Sequence, residues 1–142
     1  MTDMPLAARI NDSFARQGLM QTFGARITAL EPGLCEITAP ILPAACQQHG
    51  AGHAGLTFAL GDTAAGYAAL SLMPEGREVM TAEIKINLLA PAVGTQLVAS
   101  GRVVKAGKRL SVVTAEVAAE ATDGSRKLIA VLQGTMVPVD PA

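Results

Sequence analysis

The chain has 142 residues, of which half are hydrophobic and 16% charged, with a formal net charge of −1. That length and apolar content fit one domain with a single sizeable core and exclude a disordered chain. The near-neutral charge, the 3% aromatic content and the absence of Trp leave neither a basic field for a phosphate backbone nor stacking platforms for single-stranded nucleic acid. Two cysteines, Cys35 and Cys46, are too few for a disulfide-stapled secreted scaffold. Asp3, Arg9, Asp12 and Arg16 interrupt the first twenty residues, so no cleavable signal is visible and the chain reads as cytoplasmic.

In chain order, residues 5–17 set Leu6, Ile10 and Phe14 four apart, with Arg9, Asp12 and Arg16 between them. Pro5 suits a first turn and Gly18 a stop, which predicts an N-terminal helical segment over 1–18. From Met20 to Leu30 the pattern alternates, Glu31-Pro32-Gly33 turns, and Leu34 to Ile41 follows as the second strand of a hairpin. Gln47 to Met73 opens with a Gly- and His-rich turn and continues as a segment apolar on nearly every face. This predicts a long helix from Ala54 to Met73, stopped by Pro74-Glu75-Gly76. It is about long enough to span a membrane. Asp62, two interior glycines and many alanines favour burial in a soluble protein instead. Gly61 and Gly66 each cost about 1 kcal/mol relative to Ala, and the expected compensation is close approach to a sheet.

Four strands follow, over Glu78–Leu89, Gln96–Lys105, Arg109–Ala119 and Arg126–Val137, separated by short Gly-containing turns. Strands so linked are expected to be antiparallel neighbours. Helix, two strands, long helix and four strands make a single α+β domain over 1–142, with an antiparallel sheet curled around one apolar helix.

The strongest functional signal is Asp62. Its helical neighbours Phe58, Ala59, Ala65 and Gly66 offer a charge no partner, so the acid needs a raised pKa or a hydrogen bond from elsewhere in the fold. A structural acid is the competing reading. Cys46, His49 and His53 have a spacing that invites a metal. The Gly-rich turn accounts for them without one, and no metal is expected. Gly50, Gly52 and Gly55 lack the Lys of a phosphate-binding loop and any surrounding βαβ unit.

HGAGHAG leading into the apolar helix, and TAEIKINLLAP on the strand after it, resemble a hotdog-fold acyl-CoA thioesterase of the phenylacetate-degradation (PaaI-like) branch, over about residues 20–137. The family signature starts with Asn or Gln, has Gly three residues on, His-Gly-Gly from six residues on, and an acid within the helix. Here those places hold Gln47, Gly50, His53-Ala54-Gly55 and Asp62. Ala54 stands where Gly is usual. It keeps the backbone N–H that the family uses, while its methyl bears on rate and substrate range.

The resemblance implies a six-stranded sheet wrapped around the helix, with the Ala54 N–H as oxyanion donor at a helix start where the dipole favours negative charge. It implies Asp62 as nucleophile or general base, Gln47 positioning water or the carbonyl, and Thr81 holding the attacking water. His53 would either touch the thioester or cap the helix. Gly50, Gly55 and Met80, with Leu60 and Met73, would lie along the substrate. Lys108 and Arg109 would meet the phosphates of coenzyme A or form a solvated hairpin tip. A homo-oligomer, dimer or tetramer, is implied, with Gln47 and Ala54 from one subunit facing Asp62 and Thr81 of another. No cofactor is expected beyond the coenzyme A of the substrate, and no nucleic-acid or membrane partner. Two rivals stay open: a non-catalytic acyl-CoA binder or sensor, and a hotdog hydratase or dehydratase. Medium-chain and aryl acyl groups are equally compatible.

Overall fold

A computed structural model describes residues 4–142. Helix α1 (Met4–Ala15) buries Leu6 and Ile10, as its four-residue spacing predicts. Arg9, on the same helix, donates hydrogen bonds to the carbonyls of Leu70 at 3.1 Å and Pro74 at 3.3 Å. The Leu70 carbonyl ends the central helix and that of Pro74 follows it, where the helix dipole favours a cation. The alternation read from Met20 onward is not a strand at its start. Residues Gly18–Thr22 form a short helix α2 that plugs Met20 into the core, and Gly24, at φ +66°, turns the chain before β1 (Arg26–Glu31) begins. One fully buried Met outweighs a few alternating residues.

β1 and β2 (Leu34–Pro40) form the expected hairpin around Pro32 and Gly33, the latter at φ +79°. A single 3₁₀ turn at Pro43–Ala45 and the Gly-rich loop then lead into α3 (Ala54–Leu70). This helix stops short of the predicted Met73. The Ser71 hydroxyl donates to the Ala68 carbonyl and accepts the Gly33 N–H at 2.7 Å, tying the helix end to the hairpin turn. No helix among the described residues is long and apolar enough to cross a membrane.

The remaining strands are β3 (Glu78–Leu88), β4 (Gln96–Ala106), β5 (Ser111–Glu120) and β6 (Arg126–Val139). All pair antiparallel in one six-stranded sheet of order β1-β2-β4-β5-β6-β3. The expectation that β3 and β4 are neighbours is therefore corrected, because β3 pairs with β6 and lies on an edge. The reason lies in the connection. The N–H groups of Leu89 and Ala90 bond to Ile129, Ala92 accepts from Gly52, and Thr95 donates to Glu120. Pro91 to Thr95 thus crosses the end of the sheet instead of closing a hairpin.

The sheet curls around α3, the hotdog arrangement, and backbone sterics fix the seating of the helix. A Cβ on Gly101 of β4 would lie 2.4 Å from the backbone of Ala64, and one on Gly61 would lie 2.9 Å from Leu132. Gly66 differs from the expectation: a Cβ there would meet nothing within 4 Å. Close approach rests on Gly61 and Gly101, and Gly66 leaves open space.

Candidate active site

Two groups of residues lie along α3, the first at its start and the second where it borders the edge strand β3. The first surrounds the helix start. Gln47 N–H bonds to Ala51 O and Gly50 N–H to Gln47 O, closing a tight turn in which Gly50 takes φ +91°. The Gln47 side-chain oxygen accepts the His49 N–H, which holds the amide against the loop. Gly52 is pinned to Ala92, where a Cβ would come within 3.0 Å of the Ala92 methyl. His53 is the N-cap: its Nδ1 accepts the Gly55 N–H at 2.7 Å, and a Cβ at position 55 would press on that ring at 2.9 Å. Of the two roles implied for His53, the structure displays the cap, and Gly55 serves it.

The N–H groups of Gly52, His53, Gly55, Leu56 and Thr57 all have acceptors. Among the described residues from 52 to 57, Ala54 alone keeps an uncommitted backbone donor. It opens on a cavity of about 430 Å³ shared with Gln47, Thr57, Leu89 and Ala92. An unpaired N–H at a helix start is suited to negative charge developing on a carbonyl oxygen.

The second group lies further along α3. Thr81 Oγ1 donates to Asp62 Oδ1 at 2.7 Å, with Met136 Sδ at 3.3 Å from the same hydroxyl. The hydrogen bond that Asp62 needs from elsewhere in the fold therefore comes from β3. A bulge in β3 aims it: pairing slips between Thr81 and Glu83, leaving Ala82 as an extra residue. Thr81 before the bulge and Ile84 after it both face the helix, whereas Glu83 turns outward and accepts from Thr135 Oγ1 at 2.8 Å. Asp62, Thr63, Gly66 and Tyr67 line one side of a cavity of about 190 Å³, and Glu78, Val79 and Thr81 line the other.

Within one chain the two groups do not meet. Ala54 and Asp62 are eight positions apart on a straight helix, hence about 12 Å along its axis. No single thioester carbonyl reaches both. Phe58 sits between them, one turn from each, and is 36% exposed.

Other predicted residues fall elsewhere. Met80 alternates with Val79 and Thr81, so it projects from the opposite face of β3, 59% exposed. Leu60 is wholly buried in the core, and Met73 lies beside Arg9 and Pro5 at the far end of α3. Neither lines the Asp62 cavity. Lys108 and Arg109 occupy the exposed turn between β4 and β5, where Arg109 and Lys105 border a small cavity. Among the described residues no three His, Cys, Asp or Glu side chains gather as a metal site. Burial, helped by the charge of Glu36, pushes the Cys35 thiol up to about 12, so it is no nucleophile.

Sequence reading missed Ser13, Gln17 and Tyr67. Their hydroxyl and amide groups converge on the Asp62 cavity, Ser13 and Gln17 lying 54 and 50 residues from Tyr67 in the chain, and only Tyr67's burial as an aromatic was suggested by its helix.

Residues 49–124 match the Thioesterase superfamily. Among solved structures, a thioesterase family protein from Silicibacter pomeroyi is 43% identical, with a TM-score of 0.92 over 96% of this chain and 99% of that one. A thioesterase from Haemophilus influenzae, 22% identical, has a TM-score of 0.80 over 92% and 88% of the two chains. E. coli PaaI, from the phenylacetic acid degradation operon, is 21% identical, with a TM-score of 0.83 over 96% and 95%. At that identity the last two speak to the fold.

Proposed function

The chain belongs to the thioesterase superfamily and is a thioester hydrolase, and we propose that it hydrolyses acyl-CoA thioesters at a site assembled from two copies of itself. The observation that carries this reading is the separation of the two half-sites. The free Ala54 donor beside Gln47 and the Asp62–Thr81 pair lie along α3, too far apart to act on one carbonyl. A second copy running antiparallel along that helix would bring its Ala54 to this Asp62. The geometry of β3 favours such a partner. It is an edge strand of 11 residues with Met80 and Leu88 exposed, and a long edge of that kind is normally covered.

In the assembled site the thioester oxygen would accept from the Ala54 N–H of one copy, a donor worth on the order of 3 kcal/mol in the transition state. Gln47 would hold the carbonyl or the water. Thr81 spends its proton on Asp62 Oδ1, which leaves its oxygen able to accept from a water and leaves Asp62 Oδ2 facing the substrate. Two routes use this arrangement. Asp62 takes a proton from water as the water oxygen bonds to the carbonyl carbon, or Asp62 attacks and water then cleaves the anhydride. In both the C–S bond breaks, and coenzyme A leaves as a thiolate that gains a proton. Lys108 and Arg109 would meet its phosphates.

Release of free coenzyme A from short, medium and aryl acyl-CoA esters tests the reading. Asp62→Asn is expected to lower turnover at least about 10²-fold. A single turnover in ¹⁸O-water reads out direct attack with water opening the anhydride at the Asp62 carboxyl carbon. The Cγ–O bond then breaks, the first acid released carries an unlabelled Asp62 oxygen, and the label enters Asp62, whereas water attack on the acyl carbon labels the acid. Tight binding of every ester without turnover would replace the enzyme with an acyl-CoA binder.

A further inference from the structure

The cavity beside Asp62 is closed on one side by the N-terminal helix. Phe14 packs on Tyr67 with ring centroids 6.1 Å apart, and α1 is clamped to the end of α3 through Arg9. This places Ser13 Oγ 3.0 Å from the Tyr67 hydroxyl, which also accepts from Gln17 Nε2 at 2.8 Å. All three residues line the cavity, although Tyr67 itself is only 4% exposed.

The protons of this cluster can be counted. Ser13 and Tyr67 carry one hydroxyl proton each, and the bond between them uses one. Gln17 donates and so supplies no acceptor to either hydroxyl through its nitrogen. One hydroxyl proton is left over, on an oxygen that borders the cavity. Gln17, with its amide oxygen, lines the same wall. The space is modest, at about 190 Å³, room for about six waters. Gly66 widens it, because no side chain fills the open ground beside its Cα. Asp62 puts a carboxylate on the cavity and no Lys, Arg or His lines it, so an anionic group there would be repelled.

We propose that Ser13, Gln17 and Tyr67 are specificity-determining residues that select a short, uncharged acyl group bearing a hydroxyl at its far end. Such a hydroxyl both accepts the spare proton and donates to the Gln17 amide oxygen. A plain alkyl end would leave those polar groups facing it unpaired. A carboxylate end would meet the charge of Asp62. The proposal rests on the Asp62 cavity being the acyl site of the thioesterase.

The test compares 6-hydroxyhexanoyl-CoA, hexanoyl-CoA and adipoyl-CoA as substrates for the wild type, Ser13→Ala, Tyr67→Phe and Asp62→Asn. The wild type is expected to prefer the hydroxyl ester over the plain one by about tenfold in kcat/KM, the yield of one added hydrogen bond, with adipoyl-CoA poorest. Either single variant still leaves one hydroxyl proton unspent, so Ser13→Ala and Tyr67→Phe alone should lower the ratio only in part, and the two combined in one chain should bring it towards one. Because the ratio is taken within each variant, a reduced folded fraction cancels. A wild-type ratio near one, a ratio unchanged in the double variant, or adipoyl-CoA as the best substrate overturns the proposal. Failure of the underlying reading looks different: no coenzyme A from any ester, or Asp62→Asn as active as the wild type.

Discussion

Replacing Gly66 with Ala should stabilise the protein and impair it at once. A glycine inside a helix costs about 1 kcal/mol relative to alanine, chiefly through the freedom of the unfolded chain. At most positions on α3 that gain would be offset by crowding. At Gly66 it is not, since a Cβ would meet nothing within 4 Å. Gly66→Ala should therefore raise stability by about 1 kcal/mol, which in a domain of this size lifts Tm by about 2–4 °C. The same methyl enters the cavity beside Asp62, whose volume is only about 190 Å³. For an acyl group that fills the cavity, overpacking costs about 1–3 kcal/mol, a loss of roughly 5- to 150-fold in kcat/KM. Acetyl-CoA, which does not fill it, should lose less. Thermal unfolding at fixed protein concentration and coenzyme A release from acetyl and longer esters measure both effects. A lowered Tm, or equal turnover on every ester, would refute the assignment of this glycine to the cavity wall.

Gly101→Ala should do the reverse, because its Cβ would lie 2.4 Å from the backbone of Ala64, where no flexible side chain can yield. A loss of 3 kcal/mol or more by urea denaturation is expected, against a much smaller change for Gly61→Ala, whose neighbour is the mobile end of Leu132. Phe58→Asp, on the exposed stretch between the half-sites, should split the proposed dimer in sedimentation velocity and remove turnover with it. Persistence of an active oligomer would count against the shared site. Cys46 should be alkylated at pH 8 while Cys35 is spared, as mass spectrometry would show. Burial raises the Cys35 thiol from 9.0 to about 12, so the folded state holds this proton more tightly than the unfolded chain. Its contribution to stability is complete below pH 9 and is lost as the pH rises towards 12. The urea midpoint should fall over that window, and less steeply in Cys35→Ala.

Much of this was legible from local pattern. The period of Leu6, Ile10 and Phe14, the unbroken apolar run after His53, and the alternation of the last four strands each report a few residues' preference for one backbone geometry. Asp62 stood out by the same logic, as a charge that its helix could not satisfy. The turn glycines at positions 33 and 50 were readable because their positive φ is a property of the residue itself. The partner of Asp62 was not. Thr81 reaches it because of a bulge at Ala82, a matter of how β3 pairs with β6.

The order of the strands, the pairing of Asp62 with Thr81 and the polar wall of Ser13, Gln17 and Tyr67 were settled by tertiary structure alone. Pro91 to Gly94 reads as a hairpin turn, and becomes a crossover because its flanking groups find acceptors on Ile129 and Glu120. Gly61 and Gly66 are the same residue in the same helix, yet one faces Leu132 and the other faces a cavity. Local sequence sets which backbone conformations are cheap. Which surfaces then meet depends on hydrogen bonds and packing between residues remote in the chain, whose free energy exists only once the core has closed around them.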